Sequence, residues 1–229
     1  MRFRPAERLR LRQLYSKLMY ERRLGVETSR AVDTDELGYE DARLTHYEPA
    51  EWRTLHRALP RRSVGHDDVF VDVGSGMGRM VLRAAQYPFK RVIGIELSPQ
   101  LHEIAQANIE RNRGRFRCPD VAVVCADAVA EGVPADATVV FLNNPFLGEV
   151  FDAFVPRILE SLDRAPRRLR VVYRNPVEHD RLMATGRVRV IREWQRGAWR
   201  RRGQGVMIRT YEVLPAPGSQ NAESESIPS

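Results

Sequence analysis

Residues 69–78 read Val69-Phe70-Val71-Asp72-Val73-Gly74-Ser75-Gly76-Met77-Gly78. The first five form a short apolar run after the polar, turn-like Gly65-His66-Asp67-Asp68, as a strand buried on both faces would. Glycines follow at once, and residues 80–86 carry a helical pattern. Glycines between a strand and a helix let the backbone turn tightly and admit a ligand where Cβ atoms would stand. Asp72 sits inside the apolar run. A carboxylate buried there without a partner is costly, so its place argues for chemistry rather than packing. The next apolar run ends in Glu96, eighteen residues beyond Gly78. In a doubly wound sheet a carboxylate at that point can accept both hydroxyls of a ribose.

Further strand runs lie at Val92–Ile95, Val121–Val124, Thr138–Leu142 and Leu169–Tyr173. Between them Pro99–Asn112, Glu149–Leu162 and Val177–Ala184 read as helices, the first with proline in its opening turn. Val188–Trp194 and Val206–Val213 close the series as a pair of strands. This alternation predicts an α/β fold: a Rossmann-like, seven-stranded, mostly parallel sheet with helices on both faces. Ahead of it, residues 6–24 place Leu11, Leu14, Tyr15, Leu18 and Met19 on one helical stripe. That predicts an amphipathic helix packed by the stripe, with a basic outer face. Residues 25–48 read as a loop with one short helix, and 49–59 as a helix with Trp52, Leu55 and Leu59 on one side. The expected organisation is an N-terminal helical cap over 1–65, a ligand-binding domain over 66–214 and a tail over 215–229. The tail is too poor in apolar residues to order itself.

A chain of 229 residues buries enough core to need no staple. With 43% apolar and 29% charged residues it belongs with globular proteins, and no run of residues is apolar for long enough to span a bilayer. Two cysteines, Cys118 and Cys125, exclude a disulfide framework and a four-thiolate zinc site, and a reduced, cytoplasmic compartment is expected. The net charge is +7, and all the basic residues except Lys17 and Lys90 are arginine. Arginine reads phosphate well. These arginines are spread along the whole chain, as a coding bias would spread them, so nucleic acid is a possible partner and not the favoured one. His46, His56, His66, His102 and His179 show no metal spacing, and no serine-hydrolase elbow is present.

The spacing Gly-x-Gly-x-Gly, with Arg79 where a dinucleotide fingerprint has its third glycine, selects S-adenosylmethionine over nicotinamide among ligands that share a ribose carboxylate. From about residue 66 to 213 the chain resembles the class I S-adenosylmethionine-dependent methyltransferases. The resemblance implies that Asp72 faces the methionine amino group. It makes Gly74, Ser75, Gly76 and Gly78 the cofactor loop and Glu96 the ribose ligand, with Leu97 beside it. Asp127, followed by Ala128, becomes the acceptor for the adenine amino group, although Asp127 also suits a helix N-cap.

Phe141-Leu142-Asn143-Asn144-Pro145-Phe146 ends the fourth strand, where the ligand of an open α/β sheet lies. It is similar to the Asn-Pro-Pro-Tyr/Phe motif of amino methyltransferases. It also resembles the Asn-Asn stretch of the non-SET histone-lysine methyltransferases, the disruptor-of-telomeric-silencing family, as does His46-Tyr47-Glu48-Pro49 upstream. The resemblance makes Asn143, Asn144 and Tyr47 candidates for catalysis, with Asn143 also near the cofactor. Tyr47, Glu48, Pro145 and Phe146 become candidates for binding the acceptor. An amide or carbonyl oxygen can hold an amine hydrogen, and an aromatic such as Phe146 can pack on a developing cation. Two asparagines and a proline can equally just turn the chain.

The arginine-rich runs 111–117 and 194–202, with Trp199 interleaved, carry the vocabulary of nucleic-acid stacking or of a solvated loop. The reading placed first is a methyltransferase for a small molecule or peptide in a biosynthetic setting. A protein-lysine methyltransferase comes second and an RNA-binding or RNA-modifying protein third. No metal and no membrane partner are expected, and the oligomeric state is left open.

Overall fold

The computed structural model describes residues 14–30, 48–196 and 206–216. In chain order the helical end α1 (Arg22–Leu24), α2 (Thr54–Ala58), β1 (Val69–Val73), α3 (Arg79–Ala84), β2 (Arg91–Glu96) and α4 (Pro99–Asn112) come first. Then follow β3 (Asp120–Cys125), α5 (Ala128–Glu131), β4 (Val139–Leu142), α6 (Gly148–Arg164), β5 (Leu169–Arg174), α7 (His179–Ala184), β6 (Val188–Arg196) and β7 (Val206–Val213). The seven strands form one sheet in the order β3-β2-β1-β4-β5-β7-β6. β1 to β5 run parallel, while β7 lies antiparallel between β5 and β6. This is the Rossmann-like, mostly parallel sheet expected from the sequence.

β1 is central, and all five of its residues are buried. Its alternate side chains feed two cores. Phe70 points into a cluster with Phe89, Phe141, Ile208 and the N-terminal Trp52, Leu55 and Leu59. Val71 and Val73 point into the other, built with Phe151, Phe154, Ile158 and Leu162 of α6. A period of two on a sheet covered on both faces gives this division. The described N-terminal residues therefore share a core with the sheet.

Two local expectations are corrected. The stripe Leu14, Tyr15, Leu18 and Met19 does not pack on the sheet; these side chains are 47–56% exposed. The buried positions of that helix are Ser16 and Glu21. Lys17–Glu21 is a wide π turn, and the polar face turns inward because Ser16 and Glu21 find hydrogen-bond partners there. The second helix is shorter than residues 49–59, spanning Thr54–Ala58, although Trp52, Leu55 and Leu59 are buried together as expected. Residues 1–13, 31–47, 197–205 and 217–229, including Leu11, Tyr47, Trp199 and most of the tail, lie outside the described residues.

Gly94 of β2 is fixed by packing. A Cβ there would stand 2.8 Å from both Ser75 Oγ and Val123 Cγ1. Gly94→Ala is expected to destabilise the protein by about 1–3 kcal/mol through overpacking, and urea titration of the two proteins measures it.

Candidate cofactor and acceptor site

The strand order reverses between β1 and β4, and a cavity opens there beyond the carboxyl ends of the strands, where ligands of open α/β sheets sit. The glycine loop forms its floor. The Gly74 and Ser75 N–H groups both donate to Ile95 O, at 2.9 and 3.0 Å, so the chain leaves β1 while tied to the end of β2. Gly74 has a φ of 70° and lies under Pro145, and a Cβ at Gly74 would be 2.6 Å from Pro145 Cβ. Only glycine meets both demands. The β1 loop and the β4 loop thus touch directly.

Glu96 is 6% exposed. Its Oε2 accepts from Gly76 N at 2.6 Å and its Oε1 from Ser98 N at 2.9 Å. These bonds favour the carboxylate, but burial outweighs them and holds its pKa above the ordinary carboxylate value. Asp72 is 3% exposed and lines the same cavity. Burial, reinforced by the nearby Glu96 carboxylate, pushes its pKa up to about 8. Among the described residues neither carboxylate forms an ion pair. Two desolvated acids in one wall suit a ligand that brings positive charge with it.

Leu97, Asp127 and Ala128 line the cavity at the ends of β2 and β3. Asp127 accepts from Val129 N at 2.8 Å and caps α5, while its exposed position keeps it open to a ligand. Gly76 and Gly78 adopt φ of 55° and 80° in the loop.

At the end of β4, the Asn143 amide is engaged on both sides. Its Nδ2 donates to Glu48 O at 2.8 Å, and its Oδ1 accepts from Arg174 Nη1 at 2.7 Å. Asn144 takes a φ of 50°, which asparagine tolerates better than most residues. Phe146 is only 5% exposed and packs edge-on against Phe154 at 5.2 Å. Its ring packs on the core and also lines the cavity, beside Asn144 and Pro145. Glu48 and Pro49 line the cavity, with Tyr47 outside the described residues.

Three residues that sequence reading did not single out for function stand behind this site: Glu21, Arg79 and Arg174. In the sequence Arg79 stands only as the residue that breaks the dinucleotide glycine spacing. Its guanidinium turns to the N-terminal segment, pairing with Glu21 at 3.1 Å with both side chains buried. Fifty-eight residues separate the partners, and no local pattern links them. Arg111 and Arg115 of the basic run have structural work: they donate to Gly25 O and Arg23 O, at the carboxyl end of α1. Among the described residues no group of three or more histidine, cysteine or acidic side chains could hold a metal. No described helix is long and apolar enough to cross a membrane.

The family model of the histone methylation protein DOT1 matches residues 38–185, a span that holds the glycine loop, Glu96, Asp127 and Asn143–Phe146 in one frame. The chain belongs to this family. A protein-lysine N-methyltransferase of Saccharolobus islandicus is 34% identical over 67 residues, covering 29% of this chain and 42% of the relative. The H3 lysine-79-specific histone-lysine N-methyltransferase of Drosophila melanogaster is 35% identical over 94 residues, 40% of this chain and 5% of the relative. The chain thus spans less than half the length of either. Among solved structures, a Pyrococcus horikoshii protein proposed to be an RNA methyltransferase superposes with a TM-score of 0.56 at 16% identity, covering 87% of this chain and 98% of that one. The aTrm5 chain solved with tRNALeu gives 0.52 at 16%, covering 74% and 47%. At such identities these structures establish the fold alone. Family and fold give this DOT1-family chain the domain of the class I S-adenosylmethionine-dependent methyltransferases, whose cofactor is S-adenosylmethionine. That cofactor carries a sulfonium and an ammonium, which fits the acidic wall of Asp72 and Glu96.

The raised Asp72 pKa gives a signed pH dependence. Its contribution to ligand-free stability is full below about 4, the unfolded value, and is lost as pH rises through about 8. Asp72→Asn is therefore expected to flatten the fall of melting temperature between pH 5 and 8 and to melt above the wild type at pH 8. Wild-type cofactor binding at pH 7 should release a proton, because a cationic ligand favours the carboxylate. Calorimetry in two buffers of different ionisation enthalpy measures that release, and Asp72→Asn should abolish it.

Proposed function

We propose that this protein transfers a methyl group from S-adenosylmethionine to the ε-amine of lysine side chains in a protein substrate. The observation that carries the reading is the single-frame match to the DOT1 family across both the cofactor loop and Asn143–Phe146. Two relatives named as protein-lysine methyltransferases support it. It displaces the small-molecule reading, which no structural observation favours. The arginine run that suggested RNA is partly spent on closing a helix end.

The cofactor supplies an electrophilic methyl group when bound. In this reading Asp72 faces its ammonium and Glu96 receives the ribose hydroxyls. Asp127 takes the adenine amino group, with Leu97 and Ala128 beside the ring. Gly74, Ser75, Gly76 and Gly78 let the backbone approach closely. The acceptor enters past Asn144 and Pro145, opposite Glu48, and Tyr47 remains an acceptor-side candidate next to Glu48 in the chain. Asn143 works by fixing the Glu48 backbone, since both ends of its amide are engaged. The amine must arrive neutral, because its lone pair is the nucleophile. The main work left to the protein is to align the two centres and exclude water.

Incubation with methyl-labelled cofactor and a mixture of basic proteins, tRNA and small amines tests the reading. The expected product is ε-N-methyllysine in acid hydrolysates of protein, with none of the label in RNA or free amines; label in RNA instead would refute it. Glu96→Ala is expected to weaken S-adenosylhomocysteine binding by about 2–3 kcal/mol, the scale of lost hydrogen bonds to a charged group, as read by titration calorimetry.

A further inference from the structure

Glu48, Pro49 and Ala50 form a short strap along one wall of the cofactor cavity. Two side chains from different elements hold it. Asn143, after β4, donates to Glu48 O at 2.8 Å, and Arg79, at the start of α3, donates from Nη1 to Ala50 O at 2.9 Å. Each holder is itself held. Arg174, ending β5, donates to Asn143 Oδ1 at 2.7 Å. Arg79 pairs with Glu21 and also donates to Thr28 O at 2.6 Å, Thr28 Oγ1 at 3.0 Å and Ser29 Oγ at 2.9 Å. The Glu21 Oε1 that meets Arg79 also accepts from Thr28 N, Thr28 Oγ1 and Ser29 Oγ. Trp52 lies under the guanidinium, 5.1 Å from ring centre to Cζ. Glu21, Arg79 and Arg174 are 3–5% exposed. Buried charges in a hydrogen-bonded network hold their geometry stiffly, and they do so at a desolvation cost that a purely apolar wall would avoid.

We propose that Glu21, Arg79 and Arg174 are positioning residues for the cofactor, acting through the strap. The strap is bonded to Asn143, which follows β4, whereas Leu97 and Asp127 follow β2 and β3 on the other side of β1 in the sheet. If Asp127 marks the adenine end, as read above, the strap covers the amino-acid end. The two clamps grip the strap at residues 48 and 50, on either side of Pro49, so loosening one frees one end of it. The inference rests on the cofactor assignment and not on the identity of the methyl acceptor.

The test compares two ligands. S-adenosylhomocysteine has the amino-acid end; 5′-methylthioadenosine keeps the adenosine and thioether and lacks it. Arg174→Met opens one clamp. The double variant Glu21→Gln with Arg79→Met opens the other and removes both buried charges together, so that neither is left unpaired. Each is expected to weaken S-adenosylhomocysteine about tenfold or more, the scale of one lost charged hydrogen bond. Methylthioadenosine should stay within about twofold of wild type, and Arg174→Lys, which keeps a donor, should recover most of the loss. Equal losses for both ligands would signify general structural damage, and unchanged S-adenosylhomocysteine binding would mean that the strap does not need its clamps. Either result overturns the proposal. Failure of wild type to bind either ligand would overturn it through the cofactor step. None of these readouts uses a methyl acceptor, so they stand apart from the lysine assay.

Discussion

Glu96 sits where the central strands meet the ligand cavity, and the placing of the glycine loop depends on its two backbone hydrogen bonds. By accepting from Gly76 and Ser98, it fastens the loop after β1 to the start of α4. The carboxylate is thereby stationary before any ribose arrives. Preorganisation of this kind lowers the ordering cost of binding. It also brings a second acid close to Asp72, and the repulsion between them adds to burial in raising the Asp72 pKa. The same arrangement that builds the loop therefore prepares a wall waiting for positive charge.

The second organising feature is the closeness of the β1 and β4 loops. Pro145 packs on Gly74 so tightly that no side chain fits between them. A residue proposed to face the acceptor thus rests on one proposed to face the cofactor. Asn143 extends this contact to the N-terminal segment through the Glu48 backbone. The N-terminal residues that are described form part of the cavity wall and part of the core, and Arg79 binds them to the helix that follows the glycine loop.

The arginine content takes on a different meaning in this light. Arg79, Arg170 and Arg174 are buried, and Arg111 and Arg115 satisfy carbonyls at a helix end. Guanidinium groups suit such work because one planar fork can reach several acceptors at once. These arginines are spent inside the molecule, and net charge alone is a poor guide to a polyanionic partner.

The sequence by itself determined the strand and helix succession from Val69 to Val213, because a central parallel sheet writes continuous apolar runs and its helices write a different period. It also placed Asp72, Glu96 and Asn143–Phe146 at the carboxyl ends of those runs, while the resemblance to known methyltransferases singles out Asp127. Tertiary structure alone decided which face of the N-terminal helix is buried. The apolar stripe pointed one way, and a polar network assembled from residues 16, 21, 28, 29 and 79 pulled the other. It likewise decided that Asn143 is held by Arg174. The contacts of Arg174 with Asn143, and of Arg79 with Glu21, Thr28 and Ser29, join residues 31 to 58 apart, and local periodicity carries no record of contacts at such separations.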